Sequence, residues 1–181
     1  MFSLLAYTRR AFRRFGRAKG GATVVEFALI AFPFFVLIGA MAEVAMVGFV
    51  QTSLNFAVSE TARQIRTGQA QMGGVSATQI RQQMCDEMNG LLMLTCDGNL
   101  YLDVDRYESF VAVQNDSPIQ NGTFQPNGMG YSPGQPSDIV VVRAYYRWKI
   151  MTPMFETVFA NVGNGERIMV STMMFRNEPY Q

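Results

Sequence analysis

The sequence predicts an α+β chain: a long amino-terminal helix packed on a small antiparallel sheet of three to four strands, with one further short helix. Three patterns lead there. An apolar run from Ala22 to Val50 passes without a break into a stripe of apolar residues spaced three and four apart. A separate stripe with a capping sequence begins near Ser76, and beyond residue 100 the apolar period shortens to two.

The first element carries most of the information. Between Ala22 and Val50 the only charges are Glu26 and Glu43, and these 29 residues would span about 44 Å as a helix. A bilayer's hydrocarbon core is about 30 Å thick, so the stretch is long enough to cross one. Pro33 removes one backbone donor, which predicts a kink or loosened turn near Leu29 to Pro33. After Val50 the composition turns polar, yet Val47, Val50, Leu54, Val58, Ala62 and Ile65 continue the helical stripe. Arg63 and Arg66 suit the negative end of the helix dipole, and Gly68 is the expected stop. The division expected is a basic leader over 1–21, a membrane-spanning half-helix over 22–50, an amphipathic half over 51–68, and an outer α+β domain over 69–181.

Ser76-Ala77-Thr78-Gln79 has capping-box spacing and opens a short helix with Ile80, Met84, Met88 and Leu91 or Leu92 on one face. Leu100, Leu102 and Val104 alternate with Asp103 and Asp105 as a strand that Phe110 to Val113 could extend. Residues 117–137 hold four prolines and four glycines and read as a long surface loop. In the clearest strand, 138–150, Val140, Val142, Ala144, Tyr146, Trp148 and Ile150 form a buried face. Arg143, Arg147 and Lys149 mark the opposite face as wet. A partly apolar connection over 154–162, a turn at Asn164-Gly165 and a last strand from Glu166 to Arg176 complete the sheet.

Charge and composition exclude several functions. Six of the 15 basic residues lie in the first 20, which leaves nine against 14 acidic residues and a net charge of −5 beyond them. A nucleic-acid face would need basic side chains along the folded domain; here the cluster reads as the cytoplasmic flank of a membrane helix. The chain has no histidine, hence neither the commonest general base nor the commonest metal ligand. No nucleophile motif or phosphate loop is present, so neither an enzyme, a small-molecule substrate nor a cofactor is expected. The 13 methionines read as core filler, and Asn121-Gly122-Thr123 matches a glycosylation acceptor by a short pattern only. Asp97, Asn99, Asp103, Asp105 and Glu108 fall on five positions of a calcium-loop template, but Leu102 replaces its glycine, and a half-buried strand explains the same residues. Cys85 and Cys96 suggest one disulfide if this part lies outside the cytoplasm, with two buried free thiols as the alternative.

Glu26 is the awkward residue, since an acid inside an apolar helix needs a partner or an interface. Lys19-Gly20-Gly21 followed by Ala22-Thr23-Val24-Val25-Glu26-Phe27 resembles the processing site of type IV prepilins and pseudopilins. That resemblance implies a prepilin peptidase cutting after Gly21, with the new amine of Ala22 pairing with Glu26 of a neighbouring subunit. The likeness extends to the TadE-like minor pseudopilins of tight-adherence (Flp/Tad) pili. It rests on Gly21-Ala22 opening into V-E-F-A-L, on Pro33, on Glu60 to Gly68, and on Arg176-Asn177-Glu178-Pro179 closing the last strand. It implies a pilin-like subunit of the bacterial inner membrane, amino terminus in the cytoplasm and outer domain in the periplasm. Its partners would be the peptidase, other pilins and the assembly machinery. The competing reading is an uncleaved single-pass protein whose periplasmic domain binds or scaffolds a partner through the 117–137 loop.

Overall fold

The computed structural model describes residues 19–89, 94–113 and 117–180. The arginines of the basic leader and the stripe positions Leu91 and Leu92 lie outside them. The elements are helix α1 (Lys19–Arg66), a single turn α2 (Gln69–Met72), helix α3 (Ala77–Met88), strands β1 (Leu100–Tyr107), β2 (Ile119–Gln120), β3 (Thr123–Phe124) and β4 (Ile139–Lys149), a turn α4 (Glu156–Phe159), and strand β5 (Glu166–Arg176). The chain forms two compact units, one ending at Ala42 and the other beginning at Glu43.

In the first unit α1 is helical through Pro33 and presents large apolar side chains outward: Val24, Phe27, Leu29, Ile30, Phe32 and Phe35 are each more than half exposed. A helix apolar on every side is stable only when lipid or other helices surround it.

The second unit is the α+β domain. Its sheet has the order β1-β4-β5, antiparallel throughout, with Val142 central between Val104 and Met173. The stripe predicted along α1 forms the core: Val50, Leu54, Val58 and Ile65 are fully buried, and Ala62 nearly so. They pack with Ile80, Met84 and Met88 of α3 and with Val104, Val140, Val142, Ala144 and Tyr146 of the sheet. Glu43 to Val50, within the stretch expected to cross a membrane, belong to this unit. Helix α3 starts with the full capping box: the Gln79 amide donates to Ser76 Oγ, and Gln79 Oε1 accepts from the Ser76 amide. Cys85 near its end is bonded to Cys96, Cα to Cα 5.9 Å.

Two expectations are corrected. The second face of β4 is dry over most of its length: Ile139, Val141, Arg143 and Tyr145 are all buried, and only its end, with Arg147 half-buried and Lys149 exposed, meets water as expected. The cause is the 117–137 segment, which is no free loop. Asn121 and Gly122, both at positive φ, turn β2 into β3, the geometry that two-residue hairpins require. Phe124 then lies against Tyr101 and Tyr145, ring centroids 5.0 and 5.8 Å away, in a second core with Val162 and Ile168. The Arg147 guanidinium stacks over Tyr101 and Phe124 at 5.6 and 5.7 Å, so its charge sits on an aromatic shelf rather than in open water. The second correction concerns Phe110–Ala112, which form a 3-10 turn instead of extending β1. Ser109 caps it by accepting from the Ala112 amide. The connection after β4 likewise contains a 3-10 turn at Pro153–Phe155 before α4.

Candidate functional site

The residues singled out at the amino terminus lie on one helix. Gly21, Ala22 and Glu26 all fall within α1, with Ala22 and Glu26 four positions apart, about one turn, and hence on the same face. Glu26 is exposed, flanked by Val24, Val25 and Phe27, which are exposed as well. An outward carboxyl among outward apolar groups can act only between molecules or at an interface, because its own helix offers it no enclosure.

The other helix acid has a different place. Glu43 is 1% exposed. Its Oε1 accepts from the Met151 amide at 3.2 Å and its Oε2 from the Thr152 amide at 3.3 Å. It therefore ties the start of the domain's helix to the end of β4, where the strand breaks before Pro153. Sequence reasoning saw Glu43 only as a charge in an apolar run. Its residue type, an acid in the same register as Val47 and Val50, was the available signal.

The two terminal stretches that carried the family resemblance meet in space. The Glu178 amide donates to the Arg66 carbonyl at 2.9 Å, and the two side chains pair at 3.4 Å. The buried Asn177 donates from its side chain to the carbonyls of Pro133 and Gln135 and from its amide to Asp138. Gly68 is at φ 77°, and the Tyr180 ring occupies the space a Cβ would need. The carboxyl-terminal tail thus locks the end of α1 against the sheet.

A charged cluster lies on the face of β1 and β4 away from the helices. Arg143 reaches Asp105 at 3.2 Å and Asp103 at 3.5 Å, and donates to the Tyr107 hydroxyl at 3.4 Å. A cleft of about 300 Å³ opens beside them, walled by Ser117, Gln120, Gln125 and Asn127. Burial, and then the neighbouring Asp103, push the Asp105 carboxyl above its ordinary value against the pull of Arg143. Asp103 also accepts from the Gly130 amide at 3.0 Å. Of the calcium-template residues, Asp103 and Asp105 lie on the extended strand from Leu100 to Tyr107, with Asp97 and Asn99 in the turn before it and Glu108 after it, so the segment does not wrap round one point as a calcium loop does. The alternation reading is the one the structure bears out, and the two aspartates hold Arg143 in register.

No curated protein and no solved structure matches the chain. Residues 21–63, from Gly21 through the part of α1 that builds the domain core, match the family model described as TadE-like protein, and the likeness is confined to this segment.

Proposed function

We propose that this chain is a minor pilin or pseudopilin of a Tad-type pilus, made as a membrane-anchored precursor and cut after Gly21 by a prepilin peptidase. The observation that carries the reading is the TadE-like segment, which starts at Gly21 and contains Glu26 exposed within an apolar helix. Before assembly the helix sits in the inner membrane with the basic leader in the cytoplasm and the domain in the periplasm. The Cys85–Cys96 disulfide suits an oxidising compartment.

In this reading Glu26 sets the register between subunits. The ammonium of Ala22 on one subunit pairs with the Glu26 carboxylate of the next, and each offsets the other's loss of hydration in a low dielectric. The charged cluster at Arg143 is internally paired and serves the sheet.

Mass spectrometry of the membrane-extracted protein tests the cut. A chain beginning at Ala22 is expected in cells that carry the peptidase, and an intact leader there refutes it. Glu26→Gln tests the pairing separately: the protein should insert normally and fail to assemble. Normal assembly would favour an uncleaved anchor instead. Deleting the 117–137 segment would not separate these readings, because Phe124 and Ile119 belong to the domain's second core.

A further inference from the structure

The connection between β4 and β5 carries an apolar surface with no use inside the domain. Met151, Met154 and Val158 are 55%, 54% and 72% exposed. They are held outward from below: Phe155 is buried, its ring packs edge-on against Phe159 at 5.9 Å, and Arg167 donates to the Phe159 carbonyl at 2.9 Å. Glu156, the one charged residue between Met151 and Gly165, is turned back so that a Cβ on Gly165 would fall 2.4 Å from its carboxyl carbon. Solvent-exposed connections are ordinarily polar, and three large apolar groups on one short segment call for a covering.

The position of the segment indicates what covers it. Its first two amides are bound by Glu43, and Glu43 directly follows Ala42, the last residue of the apolar unit. From Thr23 to Ala42 there are 20 residues, a rise of about 30 Å, which matches the hydrocarbon core. The Met151 and Thr152 backbone is therefore pinned at the residue where the chain passes from apolar helix to packed domain. Lys149, exposed and two residues before Met151, places a cation where lipid phosphates would lie.

We propose that residues 151–159 form a second membrane contact, with Met151, Met154 and Val158 seated in the headgroup–acyl boundary of the bilayer and Glu43 fixing the depth. The domain then rests on the membrane at two points rather than hanging from one helix, which restricts its orientation before assembly. The proposal rests on the helix being membrane-embedded, as in the reading above.

Nitroxide labels on Val158→Cys, Val111→Cys and Phe35→Cys, each in the full chain reconstituted in phosphatidylethanolamine–phosphatidylglycerol vesicles, test it. The native cysteines are bonded to each other and leave the label one site. Val111 is a control at the opposite end of β1 and is 96% exposed. The label at 158 should be relaxed more by oxygen, which partitions into lipid, than by a water-soluble nickel chelate. The label at 111 should show the reverse. If 158 behaves like 111 while 35 is in lipid, the membrane contact is refuted and the anchor stands. If 158 is shielded from both reagents and broadened by a neighbouring label, a second copy covers the segment and the proposal also fails. If 35 itself is open to nickel, the membrane reading falls and takes this proposal with it.

Discussion

Replacing Glu43 probes the joint on which the domain's geometry depends. Its two carboxyl oxygens accept from consecutive amides at 3.2 and 3.3 Å, and the side chain is fully enclosed. Hydrogen bonds to an acidic acceptor contribute about 1.5 to 3 kcal/mol each, and a buried donor left unpaired costs a similar amount. Glu43→Gln keeps one acceptor and turns an NH₂ toward the other amide, so one bond is lost: about 2 kcal/mol. Glu43→Ala loses both and opens a space, but Met151 is more than half exposed, so water can reach the freed amides; about 3 kcal/mol is expected rather than the full sum. The assay is urea unfolding of the full chain in mild detergent, followed by fluorescence of Trp148, the only tryptophan, whose ring packs against the main core. The ordering Ala below Gln below parent is the diagnostic result. If both variants unfold within about 0.5 kcal/mol of the parent, the range usual for surface substitutions, Glu43 does not hold the β4 end and the geometric argument fails.

Three further outcomes follow from the structure. Reducing the Cys85–Cys96 bond, or replacing both cysteines by Ala, should lower stability by about 3 kcal/mol for a loop this short in the chain-entropy treatment; a urea midpoint unchanged by reductant would contradict it. Gly68→Ala should destabilise by about 1 to 2 kcal/mol from its left-handed backbone plus the displacement of the Tyr180 ring, whose atoms lie 2.2 to 2.6 Å from the added Cβ. Adding Tyr180→Ala should relieve only the second part, and a double variant as stable as Tyr180→Ala alone would rule the backbone strain out. Asp105 binds its proton more tightly folded than unfolded, its ordinary value being 3.8. The folded state therefore loses stability as pH rises through the window just above that value. Asp105→Asn should flatten the stability profile there; a slope that survives the substitution assigns it to another group.

The sequence determined the elements wherever one local signal was uncontested. The α1 stripe from Val50 to Ile65, the Ser76–Gln79 cap and the last strand over 166–176 match what periodicity and capping chemistry require, because neighbours along the chain set them. The disulfide was legible to the same extent: two cysteines in a short loop, with their oxidation left to the compartment. At the candidate site, Glu26 and the glycines before it are visible in the sequence because a lone acid in an apolar run is conspicuous without any fold.

Tertiary structure decided the rest, for one recurring reason: a residue's surroundings come from segments far along the chain. Arg143 marks a wet face by its own chemistry, yet it is buried because Asp103 and Asp105 arrive from β1 and the hairpin carrying Phe124 closes over the same face. The proline- and glycine-rich segment looked like open loop because turn residues announce reversals and not what the reversals bring together. Glu43 looked like a blemish in an apolar run until β4 delivered two unpaired amides to it. Local pattern specifies which helices and strands form; only their packing determines which polar groups are left with a partner, and in this chain that is what distinguishes the acid inside the domain from the one facing outward.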